Sequence, residues 1–319
     1  MFEVSGTPAE EGDDENPIID QPAALLIAHD PTGETAVRFV WVADLSQADY
    51  ERYNTALKAL EDIASSSMFA YLRQSGFAMM REVGEAYKAI YDNQISLVQM
   101  GDVQEWCLRL RGGVLGFCSA LVQHQEQAYI EVKRKFGDGS PEHEDMKTVF
   151  NSLFDNNFGY RHLYKLRNAM VHYSLFACGV GAESHRREDQ NIHWFELKYD
   201  RRIMLEQASF LNARLRRELE ELDEDPDIME MLSEAVKDLA LANRRVVEIM
   251  HPDIGALCRT VVQFDNLFGN QDGVRTISSQ RSQHLRRPLR FNYRPVPPQV
   301  ILSARNRVRR EQGQPEQWP

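Results

Sequence analysis

The sequence predicts an all-α protein with short β-hairpin additions, on three observations. From Ser46 onward apolar residues recur at the three- and four-residue spacing of helices, over segments long enough to build a bundle. Two short runs rich in β-branched and aromatic residues stand apart from that pattern and read as hairpins. The chain has 319 residues, 43 % of them apolar, which is enough to bury a core.

Taken in order, residues 1–20 hold seven acids and no base, the composition of a disordered leader. Residues 21–44, "AALLIAHDPTGETAVRFVWVA" with Asp30-Pro31-Thr32-Gly33 at the bend, predict a β-hairpin. Residues 45–268 predict one helical domain. Its first helix has Ser46 as N-cap and Leu57, Leu60 and Ile63 at helical spacing. A long helix follows in which Gly112-Gly113 marks a kink or a close helix contact. Ser140 then caps a helix with Pro141 at its first position and acids in its first turn. After the helix at 158–176, "GVGAESHRREDQN" reads as a polar loop and "IHWFELKYDRRIML" as a hairpin turning near Tyr199-Asp200. Leu211, Leu215 and Leu222 share one face of the next helix, and Arg214/Glu218, Arg216/Glu220 and Arg217/Glu221 form i,i+4 pairs read as solvated surface. The acids from Asp223 to Asp227 cap the last long helix. Residues 269–319, proline-broken and basic, predict a largely extended tail.

The net charge of -11 is unevenly distributed. Between Gly273 and Arg310 there are ten arginines and no acid, so the remainder carries -21. Such an arm suits a polyanion such as RNA, with Arg286, Arg287 and Arg290 as candidate phosphate contacts. It equally suits folding back onto its own acidic body. No run of about 18 apolar residues is present, and the N-terminus is acidic where a secretory signal is basic, so a soluble cytoplasmic protein without a membrane partner is expected. The four cysteines are scattered, and no phosphate-cradling loop, His-Glu-x-x-His or nucleophile elbow occurs. Neither a metal nor another cofactor is expected.

One stretch points to chemistry. In "YKLRNAMVHYS" and the turn before it, Arg161, Lys165, Asn168 and His172 fall within a stripe of about 60° at 100° per residue. Leu163, Leu166 and Met170 lie opposite, and Arg167 sits at the border. Histidine exchanges protons near neutral pH, arginine holds a phosphate and offsets charge at the transition state, and asparagine orients a hydroxyl or water. That set matches metal-independent RNA cleavage, in which the ribose 2′-OH attacks its own phosphate. An arginine and a histidine at this spacing are nevertheless expected about once by chance in a chain this rich in arginine.

The segment "LYKLRNAMVH" resembles the signature helix of HEPN domains (higher eukaryotes and prokaryotes nucleotide-binding), Arg-x4-6-His with a polar residue after the arginine, here Arg167, Asn168 and His172. The likeness extends over about residues 45–250, long helices before the motif and a hairpin with more helices after it. It implies a HEPN-like antiparallel helical bundle that dimerises and in many members cleaves RNA, as a toxin, an antiviral-defence effector or an RNA-processing enzyme, sometimes held by an antitoxin or another regulatory protein. In those roles His172 is the general acid/base, Arg167 the phosphate clamp and Asn168 the orienting group, with Arg161 and Lys165 guiding the RNA backbone. On a straight helix Arg167 and His172 point about 140° apart, so a cleft shared across a twofold axis brings them to one phosphate. Other members only bind ligands or assemble, which makes a non-catalytic interaction module the rival reading. Members regulated through a tyrosine two positions after the histidine have Ser174 in its place here, with Tyr173 adjacent to His172.

Overall fold

The computed structural model describes residues 18–29, 37–65, 67–92, 94, 100–187, 190–206, 211–282 and 292–317. Strands β1 (Ile18–Ile19), β2 (Ala23–His29) and β3 (Val37–Asp44) precede helices α1 (Gln47–Ser65), α2 (Met68–Tyr91), α3 (Met100–Phe136), α4 (Pro141–Asn156) and α5 (Phe158–His172). A 3-10 turn (Leu175–Ala177) leads to β4 (Cys178–Arg187) and β5 (Gln190–Tyr199), then α6 (Arg201–Glu206), α7 (Ala213–Glu220), α8 (Ile228–Met250) and α9 (Ile254–Asn266). Strands β6 (Val274–Ser278), β7 (Arg281–Ser282) and β8 (Tyr293–Pro295) and helix α10 (Pro298–Glu311) close the chain. The fold is mainly α-helical, and no helix among the described residues is long and apolar enough to cross a membrane.

The chain divides into two compact units, one drawn from both ends (Met1–Ala64 with Asp253–Pro319) and one continuous (Ser65–Pro252). This corrects the expected single helical domain over 45–268. Helices α1 and α9 belong with the strands, since the Tyr53 and Phe264 rings meet at 5.5 Å and Arg52 donates to Gln263 at 2.8 Å. The hairpin β2–β3 forms as expected, but it is half of a four-stranded antiparallel sheet of order β3-β2-β6-β8.

The largely extended tail expected over 269–319 is also corrected. Strand β6 lies beside β2 in register Leu25↔Thr276, and α10 follows with Pro298 in its first turn. What holds the tail is its charge. Arg275 and Arg305 both bond the buried carboxylate of Asp265, Arg281 bonds Asp44 and Arg294 bonds Glu61. Arg307 and Arg310 pair with Glu311 and Glu316, and Arg309 donates to the carbonyl of Pro315. All the described tail arginines except Arg309, whose partner is a carbonyl, are therefore paired with acids of their own unit. Gly273, at φ 141°, lets β6 start against β2, because a Cβ there would stand 2.5 Å from the Ile27 carbonyl oxygen.

The continuous unit is built on α3, which runs unbroken through Gly112-Gly113. Gly113 marks a close helix contact, since a Cβ there would meet Met79 Cγ of α2 at 3.3 Å. Phe117, Leu121, Met146, Phe150, Tyr160 and Leu163 are at the centre of the core it shares with α2, α4, α5 and α8. Ser140 caps α4 and Asp227 caps α8 through the Met229 and Glu230 amides, as the sequence predicts. Of the polar loop expected at 179–191, residues 179–187 are instead part of strand β4, paired along its length with β5, and 190–191 open β5. No hairpin turns at Tyr199-Asp200. Asp200 caps α6, its carboxylate accepting from the Ile203 amide at 2.8 Å.

Candidate active site

Helix α5 is fixed at its start and released at its end. Asn157 caps it by accepting from the Tyr160 amide at 2.7 Å, and its side-chain amide donates to Asp238 of α8 at 2.8 Å. Gly159 lets the first turn press on α8, since a Cβ there would stand 2.1 Å from the Met231 carbonyl oxygen. Leu163, Leu166, Ala169 and Met170 are buried along the inner face. At the far end the amides of Tyr173 and Ser174 both donate to the Ala169 carbonyl, closing the helix.

The polar stripe expected on α5 is split by burial. Arg161 is buried, and its Nε and Nη2 donate to the two oxygens of Glu218 at 2.8 and 3.0 Å. Arg161 is thus engaged as a structural ion pair, with α7 over the first half of the stripe. The same carboxylate takes a bond from Arg214 Nε at 3.0 Å and lies 3.1 Å from His162 Nε2, whose Nδ1 is 3.3 Å from the Tyr199 hydroxyl. Burial pushes His162 down to about 4, against the pull of Glu218, so the ring is neutral and donates from Nε2. Burial alone would raise Glu218, but the bonds from Arg161, Arg214 and His162 outweigh it and hold the carboxyl near 2. The Arg214/Glu218 pair is thus part of a closed half-buried network, while Arg216/Glu220 and Arg217/Glu221 are the surface pairs expected.

The second half of α5 keeps its polar groups accessible. Arg167 and Asn168 are half-buried and in contact, Nη1 donating to Oδ1 at 3.2 Å. Arg167 Nε is buried without a hydrogen bond, and no carboxylate pairs with this guanidinium among the described residues. Lys165 is half-buried, and desolvation lowers its ammonium below the ordinary lysine range. His172 is exposed in the last turn.

Sequence reasoning missed Arg111 of α3. It donates to the Cys178 carbonyl at 3.0 Å and lies 4.5 Å above the Phe176 ring, clamping the segment that follows His172. No local spacing could reveal it, because the contact spans 67 residues. Arg286, Arg287 and Arg290 lie outside the described residues. Among the described residues no group of three His, Cys, Asp or Glu side chains is placed to hold a metal ion. No protein-family model, curated protein or solved structure matches this chain.

Proposed function

We propose that the chain is a HEPN-type endoribonuclease acting without a metal ion, as a homodimer, and that the outer half of α5 carries the chemistry. One observation carries the reading: Arg167 is pre-oriented by Asn168 and not neutralised by any described carboxylate, and His172 is exposed five residues further on. A half-buried guanidinium of this kind is ready for a phosphate. In the proposed reaction His172 takes the proton of the ribose 2′-OH as its oxygen attacks phosphorus, and the 5′-oxygen leaves with a proton from an acid, the second His172 of the dimer. The products are a 2′,3′-cyclic phosphate and a 5′-hydroxyl. Arg167 offsets the charge on the phosphorane, and Asn168 fixes the guanidinium. A toxin or an antiviral-defence effector, restrained by an antitoxin or other protein, is the setting this chemistry suits. The test is incubation of the purified protein with mixed RNA in excess EDTA, followed by end-group analysis: cyclic phosphate ends support the reading, and an absolute requirement for a divalent ion contradicts it.

A second reading has its own observation. Val171 and Phe176, exposed at 47 % and 62 %, flank His172 together with Tyr173 and Leu175, a more apolar rim than a solvated helix end requires. A non-catalytic interaction module would use that rim to dock a partner. It predicts that Phe176→Ala alters the mass of the assembly and that RNA stays intact with every variant.

A further inference from the structure

Helix α2 has two faces of different character. Leu72, Met79, Ala86 and Ile90 are buried in the core, whereas Phe77, Met80, Tyr87 and Tyr91 are exposed at 62, 46, 40 and 80 %. Arg73, Arg81 and Lys88 are exposed on the same side. At 100° per residue these seven side chains fall within an arc of about 120°, over about 27 Å of helix. Along it rings and cations interleave: Arg73, Phe77, Met80, Arg81, Tyr87, Lys88, Tyr91. Two acids lie at the edge of the arc, Glu85 and the exposed C-cap Asp92, since Glu82 turns away to pair with Arg109 at 2.7 Å. No carboxylate pairs with Arg73, Arg81 or Lys88 among the described residues. On a chain of net charge -11, a basic and aromatic row of this length is out of character.

Three occupants fit the row unequally. A second copy laid antiparallel about Gly84 would bring Arg81 within one residue of the other copy's Lys88, with no acid of either row between them, and a parallel one would set each cation against itself. Like charges facing across an interface oppose both arrangements. A lipid surface favours a continuous apolar band with cations along its border, but here the cations stand within the row and two of the four large apolar residues are tyrosines. Single-stranded nucleic acid presents bases and phosphates in alternation, which an interleaved row matches. We propose that this face of α2 binds single-stranded RNA, with bases stacking on Phe77, Tyr87 and Tyr91 and phosphates meeting Arg73, Arg81 and Lys88. The proposal deepens the ribonuclease reading, on which it rests for the choice of RNA.

The test is fluorescence anisotropy with a labelled 2′-O-methyl dodecamer, which lacks the attacking hydroxyl and so reports binding apart from cleavage. Phe77→Ala/Tyr91→Ala weakens binding at least about tenfold, as loss of two stacking platforms requires. Arg81→Gln/Lys88→Gln lowers the slope of log affinity against log salt by about 1.4. All four side chains are exposed, so circular dichroism of both variants matches wild type. No binding by wild type, or equal binding by the ring variant, overturns the proposal. So does co-sedimentation with phosphatidylcholine/phosphatidylserine vesicles that the same variants abolish while RNA binding is unchanged. If natural RNA remains uncut while the ring variant still loses the oligomer, the cleavage reading fails and the RNA surface stands.

Discussion

Replacing Glu218 by alanine should cost the continuous unit about 3 kcal/mol. The carboxylate accepts from Arg161 at 2.8 and 3.0 Å, from Arg214 at 3.0 Å and from His162 at 3.1 Å. Without it the Arg161 guanidinium, whose side chain is 9 % exposed, is left charged and unpaired, and the His162 ring loses its acceptor. Removing one partner of a buried pair costs about 3–5 kcal/mol, and the partial exposure of Glu218 together with the greater exposure of Arg214 places this case at the lower end. In urea, followed by the helical circular dichroism signal, the midpoint should fall by about 1 M at an m-value near 2–3 kcal/mol/M. Arg161→Met combined with Glu218→Leu should lose less than the sum of the two single changes, because neither charge is then stranded. A loss below about 1 kcal/mol for Glu218→Ala would refute the reasoning, for it would make the network an ordinary surface one. The same experiment separates the two roles considered for Arg161: a structural anchor changes the urea midpoint, and an RNA contact changes affinity.

Further outcomes follow from the same network and from the other unit. His162 in the unfolded chain takes a proton near its ordinary 6.5, whereas the folded ring resists until about 4, so stability should fall by about 2 kcal/mol between pH 6.5 and 5. Glu218 adds to the loss below about 4.5, since the folded carboxyl stays ionised to about 2; equal urea midpoints at pH 7.5 and 5 would contradict the first, and equal midpoints at pH 5 and 3 the second. Asp265→Ala should destabilise the unit formed by the chain ends by about 3 kcal/mol, leaving Arg275 and Arg305 without their shared buried carboxylate, and limited proteolysis of that unit reads it out. Truncation after Asn270 removes β6 and β8 from the sheet and α10 from α9, so β2, β3 and α1 should become protease-sensitive; an intact, resistant core would show that the tail is dispensable.

What the sequence made legible was local. Ser140-Pro141 and Asp227 announce their helices because capping acts within three residues, and Leu163, Leu166 and Met170 announce the inner face of α5 because periodicity acts within two turns. The tail was misread because β6 owes its structure to β2, some 250 residues earlier, and its arginines owe their order to acids at Asp44, Glu61 and Asp265. Strand β4 carries glycines and charges in place of alternation, so only its pairing with β5 makes it a strand. On α5 the helical wheel placed Arg161 and His172 on one stripe, and that is where they lie. A wheel does not say which part of a stripe another helix covers, and here α7 covers Arg161 through Glu218 and Arg214.

The claim at the centre is that Arg167 and His172 on α5 perform RNA cleavage. The most direct measurement is cleavage of a mixed RNA substrate in excess EDTA by wild type, His172→Ala and Arg167→Ala, with a light-scattering mass for each. Loss of cleavage by about a hundredfold or more in variants that keep the wild-type mass is the predicted result. Undiminished cleavage by a His172→Ala protein of unchanged mass, or intact RNA with wild type itself at every concentration that forms the assembly, would contradict it.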